Sequence, residues 1–329
     1  MRKLVSFLVV ALLVVAGFFT YYANSSLTLP RVPLAFDIKP GSSLKSAARQ
    51  LVELKVLPDA WRFVWLARLL GKAGSVKTGN YEIEGDTTPF ELITMITRGK
   101  VSQGEIVLIE GWNFREVRAA LNAHPNLRHD SAALSDAEIL QRVGAAESHP
   151  EGLFFPDTYY FAKGSSDLAV LRRAYRVMQN RLSDAWAQRA PDVPFATPYE
   201  ALIMASIVEK ETGQATERPM IAAVFVNRLR HGMRLQTDPT VIYGLSEKFD
   251  GNLRRRDLET DTPYNSYTRA GLPPTPIAMP GMDALRATLN PAQSRALYFV
   301  ARGDGTSKFS ESLAEHNRAV TQYQLKGGK

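Results

Sequence analysis

Residues 4–23 read LVSFLVVALLVVAGFFTYYA and carry no charged side chain. At about 1.5 Å of rise per residue, a helix of this length reaches roughly 30 Å, the thickness of a bilayer's hydrocarbon core. No other stretch restricts the chain so strongly. It reserves one segment as a candidate membrane span and leaves the rest of the 329 residues to fold beside it. Arg2 and Lys3 precede the run, and the positive-inside tendency keeps that end in the cytoplasm with the bulk of the chain outside. A cleaved signal peptide has an apolar core of only about 7–15 residues and small residues before the cut. Here the run is longer, and Tyr21 and Tyr22 crowd the one plausible exit at Ala23. An uncleaved transmembrane helix within residues 1–23 is the expectation, with Phe18, Phe19, Tyr21 and Tyr22 suited to the outer interface.

Residues 24–33, NSSLTLPRVP, read as an extended linker. Beyond them the pattern mixes strands and helices. LAFDIKPGSSL predicts a strand, a turn and a helix start capped by Ser42 or Ser43. Helical spacing follows through Leu44, Ala47, Ala48, Leu51 and Leu54. DAWRFVWLARLLG predicts a second helix stopped at Gly71, and TGNYEIEGDTTPFELITMITRG a strand, a turn and another helix. A first domain over 34–104 and a larger one over 105–329 result, opening on the strand GEIVLIEG and the helix NFREVRAALN. The fold class expected is α+β.

Composition excludes several functions. With no cysteine, neither a disulfide nor a thiolate metal site can form. The five histidines (124, 129, 149, 231 and 316) lack metal-ligand spacing. No nucleophile elbow, phosphate loop or dinucleotide fingerprint occurs. Neither a metal nor a cofactor is therefore expected. The net charge of +7 is spread along the chain. Its densest basic run is three arginines at 254–256, so nucleic acid is not an expected partner. Acid catalysis by a carboxyl group is the chemistry left.

TPYEALIMASIVEKETG, residues 197–213, has the marks of a helix with both ends defined. Thr197 suits the N-cap, Pro198 the first helical position, Glu200 a capping box, and Gly213 the stop. On a wheel of ~100° per residue with Leu202 at zero, Ile203, Met204, Ile207 and Val208 centre near about 170°. Glu211 falls near about 180°, inside that stripe, and Glu209 near about 340°, beside Ser206. Glu209 is thus expected in solvent with no task, although Leu202 shares its side. Glu211 is expected where the core should be. Desolvation and the negative helix end both favour its neutral form, which a general acid requires. A buried arginine partner, or a final turn that emerges into water, would give Glu211 a plain structural role instead.

Three other clusters are candidates. EGLFFPDTYY sets Glu151, Asp157 and Thr158 among aromatics, a mixture that suits sugar rings, though an aromatic core with a turn at Pro156 explains it too. RLQTDPTVIYG brings Gln236, Thr237 and Asp238 before a helix starting at Pro239, where the plain reading is an N-cap at Thr237 or Asp238. PYNSYTRAGLPPTPIAMPG, residues 263–281, should form a stiff loop with Asn265, Ser266 and Tyr267 as its hydrogen-bonding members.

EGLFFPDTY, ASIVEKET, VFVNRL, MRLQTDPTVIYG, YNSYTRAGLPPTPI and YFVARGDG, in that order, together resemble the membrane-anchored endolytic murein transglycosylases, the YceG-like family, and the resemblance runs from the anchor to nearly the C-terminus. The resemblance implies a single-pass protein of the bacterial inner membrane with a periplasmic body. It also implies a small LysM-like α/β module, mapped onto 34–104, and a larger mixed α/β catalytic domain over 105–329. The implied reaction is lytic cleavage of the MurNAc–GlcNAc β-1,4 bond within nascent glycan strands, leaving 1,6-anhydroMurNAc ends and limiting strand length. Glu211 matches the family's catalytic glutamate, and Glu211-Thr212 sits where other lytic transglycosylases carry Glu-Ser. Substrate-binding roles for Glu151, Asp157, Thr158, Gln236, Asp238, Asn265 and Tyr267 follow from their places in shared motifs. Peptidoglycan strands are the implied partner, along with glycan-polymerising synthases. The alternatives are a hydrolytic muramidase using Asp157 or Asp238 as second carboxylate, or a non-catalytic, membrane-anchored glycan-binding protein.

Overall fold

The alternating residues of LAFDI and GNYEI resolve into an antiparallel pair. Strand β1 (Leu34–Ile38) runs against β2 (Gly79–Ile83), with Leu34 opposite Ile83 and Ile38 opposite Gly79. The period of two turns Leu34, Phe36, Ile38, Tyr81 and Ile83 inward. These observations come from a computed structural model that describes residues 2–30, 34–39, 41–83, 87–98, 103–211 and 214–325. Part of the expected linker (31–33), Thr212 and Gly213 lie outside the described residues.

The chain divides into two units, the first comprising residues 1–104 with 160–165 and the second residues 105–159 with 166–329. In the first, helix α1 (Arg2–Asn24) precedes β1, and α2 (Leu44–Glu53) and α3 (Ala60–Leu69) separate β1 from β2. Ser43 caps α2 by accepting from Ser46 N–H, and Asp59 caps α3 through Arg62 N–H. Gly71 closes α3 with a φ of 68°, the left-handed turn expected at that stop. Helix α4 (Pro89–Arg98) follows β2. Ala47, Ala48, Leu51, Phe63, Leu92, Ile93 and Ile96 fill the core between the helices and the sheet.

Tyr22, Ala23 and Leu27 belong to that same core, and Leu27 N–H donates to Thr87 O at 2.8 Å. The start of the expected linker is therefore packed, because Leu27 supplies an apolar side chain that the small unit can bury. Among the described residues, no helix is long and apolar enough to cross a membrane.

The second unit contains strand β3 (Gln103–Val107), α5 (Phe114–Ala123), β4 (Leu127–Arg128), α6 (Asp136–Val143), β5 (Thr158–Ala162), β6 (Ser165–Ser166) and α7 (Asp167–Ala187). Of these strands, residues 103–104 of β3, 160–162 of β5 and 165 of β6 belong to the first unit. Next come α8 (Pro198–Glu211), α9 (Arg218–Arg230), α10 (Asp238–Leu245), α11 (Arg255–Glu259) and α12 (Met282–Leu289). A hairpin, β7 (Tyr298–Ala301) with β8 (Ser307–Ser310), and helix α13 (Leu313–Val320) complete it.

Helix α8 is the axis of this unit, with α7, α9, α10 and α12 packed around it. Its residues 201–208 are all buried. Thr197 Oγ1 accepts from Glu200 N–H at 3.2 Å, as a cap should. The reciprocal half differs from the expected box: the Glu200 carboxylate accepts from Ala196 N–H at 2.7 Å, one residue further back.

The loop at 263–281 is stitched to this axis. Ile277 N–H donates to Ser206 Oγ at 2.9 Å, and Gly281 N–H to Glu209 Oε2 at 2.8 Å. Two main-chain bonds, Gly111 N–H to Met279 O and Met279 N–H to Trp112 O, hold its other side.

Candidate active site

Because residues 201–208 of α8 are buried all round, the stretch leading to Glu209 has no solvated face to receive a spare carboxylate. The expectation that Glu209 lies in water is corrected. Its side chain is 5% exposed and forms an ion pair with Arg218 Nη2 at 3.0 Å; Arg218 is itself 10% exposed. The second Glu209 oxygen takes the Gly281 N–H. Both charge and acceptors are satisfied, so Glu209 joins α8, α9 and the stiff loop. The wheel failed here because it assumes one buried face, whereas residues 201–208 of α8 are buried on all sides.

Glu211, in the last position of α8, is partly buried and is hydrogen-bonded to a hydroxyl rather than paired with a cation. Thr237 Oγ1 donates to its Oε1 at 2.5 Å. Burial raises its pKa above the ordinary carboxylate value; the Thr237 hydrogen bond opposes this, the Asp238 charge adds to it, and Arg228 opposes it more weakly.

Thr237 precedes α10 but does not cap it with its side chain. The capping role expected at that position is replaced by the bond to Glu211. The turn before it is held by Arg228, a buried residue of α9. Arg228 donates to Leu297 O at 2.7 Å, Leu235 O at 2.8 Å, Arg234 O at 3.2 Å and Gln236 Oε1 at 3.3 Å. Gln236 adopts a φ of 51°, a left-handed backbone uncommon outside glycine. Next along the chain, Asp238 Oδ1 accepts from the Tyr267 hydroxyl at 2.5 Å.

Five of the sequence candidates thus gather around one turn: Glu211, Gln236, Asp238 and Tyr267 through their side chains, and Asn265 through the loop that carries Tyr267. Asn265 is buried. Its amide donates to the carbonyls of Asp257, Leu258 and Thr260, and its Oδ1 accepts from Tyr267 N–H. It shapes the loop from inside.

The other three lie elsewhere. Glu151 is buried, with Phe114 N–H donating to Oε1 at 3.0 Å and the Tyr243 hydroxyl to Oε2 at 3.0 Å. Burial pushes its carboxyl up to about 7 against these hydrogen bonds. Asp157 accepts from its neighbour Thr158 N–H at 2.7 Å, and its carbonyl takes Leu108 N–H at 3.0 Å. Thr158 opens β5. The hydrogen bonds described for these three do not reach the Glu211 cluster.

Sequence reasoning missed Thr237 as a partner of Glu211 and Arg228 as the brace of its turn. The signal for Thr237 was its place between Gln236 and Asp238. For Arg228 nothing in the spacing distinguishes it from the surface arginine two residues on.

The YceG-like family matches residues 36–322. An endolytic murein transglycosylase of Bacillus subtilis is 30% identical over 94% of this chain and 91% of its own length. One from Streptococcus pneumoniae is 24% identical over 97% of this chain, which spans 64% of that longer protein. The crystal structure of a YceG-like protein from Listeria monocytogenes superposes with a TM-score of 0.55 at 30% identity, covering 87% of this chain and 98% of that one. A match over nearly the whole folded length, in both sequence and structure, places this chain in the YceG-like family.

Proposed function

We propose that this protein is an endolytic murein transglycosylase, a lyase that cuts peptidoglycan glycan strands internally, with Glu211 as its acid and then its base. The observation that carries the assignment of Glu211 is its carboxyl group, ending a buried helix with burial favouring the protonated form and one oxygen held by a hydroxyl. The 30% identical relative bears the name of this activity.

The reaction needs one carboxyl group used twice. Neutral Glu211 gives its proton to the glycosidic oxygen as the bond from C1 of MurNAc to O4 of GlcNAc breaks. The sugar's own N-acetyl oxygen stabilises the positive C1, as in substrate-assisted exceptions to two-carboxylate glycoside hydrolysis. Glu211, now a carboxylate, removes the proton of the MurNAc 6-hydroxyl while O6 bonds to C1. The 1,6-anhydro ring closes, the acid is restored, and no water enters.

Asp238 and Tyr267, paired beside Glu211, are the substrate-facing groups on this reading, and Gln236 extends the same edge. Glu151, Asp157, Thr158 and Asn265 serve the site through the fold rather than at the bond cleaved. The module at 34–104 is read as LysM-like. Its support is the order β1-α2-α3-β2 with an antiparallel pair closing it. The membrane anchor and the inner-membrane, periplasm-facing location belong to the same proposal, supported by the uncharged run 4–23 and by the exposure of Leu13, Val14 and Phe18 on α1. Tethering would hold the site near strands as they are made, where glycan-polymerising synthases would be its neighbours.

Mass spectrometry of products from purified glycan strands tests this reading. Wild type should release anhydro ends, and Glu211→Gln should release none while keeping its fold. A product heavier by one water would instead mark hydrolysis, and anhydro product at wild-type levels from Glu211→Gln would remove Glu211 from the chemistry.

A further inference from the structure

A threonine at the entry to a helix ordinarily turns its hydroxyl onto the helix's free N–H groups. Thr237 stands at that position before α10 and makes no such bond; its hydroxyl goes to Glu211. The helix start gives up a cap, and a side chain that is 2% exposed is aimed at the acid.

Its backbone is pinned on both sides by hydroxyls. Thr237 N–H donates to Ser266 Oγ at 3.0 Å, and Thr240 Oγ1 donates to Thr237 O at 2.7 Å. The Ser266 and Thr240 hydroxyls lie 2.8 Å apart, and all three residues are buried. Gln236, immediately before, is held left-handed with its N–H on Ser266 O at 3.1 Å. Strained backbone of this kind persists where surrounding contacts fix it.

We propose that Thr237 is a positioning residue for the transglycosylation, its hydroxyl fixing one oxygen of Glu211 so that the transferable proton sits on the other, with Ser266 holding Thr237 in register. This rests on the assignment of Glu211 as the acid. A hydroxyl carries one proton to donate. With that proton on Oε1, a neutral Glu211 keeps its own on Oε2, facing the bond to be cut. After transfer, the same contact becomes a hydrogen bond to an anion and strengthens. Thr237 therefore steadies the carboxylate form between the two halves of the reaction. Among the described residues, the charged and titratable groups around Glu211 are Asp238 on α10, Arg228 on α9 and Tyr267 on the 263–281 loop, and Tyr267 is committed to Asp238.

The test is steady-state kinetics of the full chain on purified glycan strands across pH, for wild type, Thr237→Val, Thr237→Ser, Ser266→Ala and Glu211→Gln. Activity falls as pH rises through the pKa of the acid. Removing a donor to its ionised form raises that pKa, so Thr237→Val should move the alkaline limb to higher pH. It should also lower kcat about 10- to 100-fold, less than the roughly 100- to 1000-fold of a donor that touches the transition state directly, because Thr237 acts through Glu211, with KM unchanged. Thr237→Ser should restore both limb and rate. Ser266→Ala should lower kcat and shift the limb the same way by less. If Thr237→Val does not fold, the serine and Ser266→Ala arms decide: an unmoved limb in Ser266→Ala overturns the proposal. An unmoved limb in a folded Thr237→Val, or a loss that serine does not rescue, overturns it too. Activity in Glu211→Gln would instead defeat the underlying assignment, so the two failures are separate.

Discussion

Glu209 and Glu211 leave the same helix and end in opposite company. Glu209 meets Arg218 and a backbone N–H, so its charge is matched and its geometry closed. Glu211 meets a hydroxyl and a neighbouring acid, so its charge is only partly supported and its proton is available. Removing one partner of a buried pair costs about 3–5 kcal/mol, because the other charge stays behind. Glu209→Ala should therefore destabilise the protein by about that amount, read by urea unfolding. Glu209→Gln, which keeps an acceptor toward Gly281, should remain active at reduced stability. Equal stability of Glu209→Ala and wild type would contradict the closed pair. The sequence singled out Glu211 on one ground alone. The wheel placed it in an apolar stripe, and its partners Thr237, Asp238 and Arg228 come from elements that no local period connects.

At the level of elements, the joints matter more than the helices. Glu151 ties the start of α5 to Tyr243 on α10, the helix whose first residue is Asp238. Its carboxyl, raised to about 7, binds a proton more tightly in the folded chain than in the unfolded one. Its contribution to stability is full below the unfolded value of about 4.3 and is lost as pH rises through about 7. The loss is on the order of 3 kcal/mol for a shift of this size. Glu151→Gln should flatten that part of the dependence, so the variant gains on wild type between pH 5 and pH 8 in urea midpoints. A slope unchanged by the substitution would contradict it.

Gly152, the next residue, has a φ of 78°, and an added Cβ would come within 2.5 Å of Pro276 Cβ. Gly152→Ala should lower stability by about 1–3 kcal/mol, since the proline is held in the stiff loop. A thermal midpoint equal to wild type would show that the contact can relax. Strands β1 and β2, helices α2, α3, α4 and α8, the caps at Ser43 and Thr197 and the stop at Gly71 were readable because each is written locally. The joints were not readable, since Glu151 meets Phe114 and Tyr243 across long separations, and the turn-rich motif alone could not tell a sugar-binding acid from a buried tie.

Over the whole molecule, an apolar N-terminal helix precedes a small sheet-and-helix unit and a larger unit built around α8. The order of these parts was legible from hydropathy and periodicity. The packing of Leu27 into the small unit was not, since a single leucine in a polar stretch gives no period. If residues 4–23 anchor the protein, the full chain should float with lipid vesicles and resist alkaline carbonate extraction. A chain lacking residues 2–18, which keeps Tyr22 and Ala23 in the small unit's core, should stay soluble and still cleave purified strands. Release of the full chain by carbonate would contradict an inserted anchor.

Site-specific 13C labelling of Glu211, followed by NMR titration of the folded full chain against Glu211→Gln as the blank, reads the proton directly. One carboxyl resonance, missing from the variant, should titrate above the ordinary glutamate value of about 4.3 and move higher still in Thr237→Val. A resonance that ionises at the ordinary value and ignores Thr237 would contradict it.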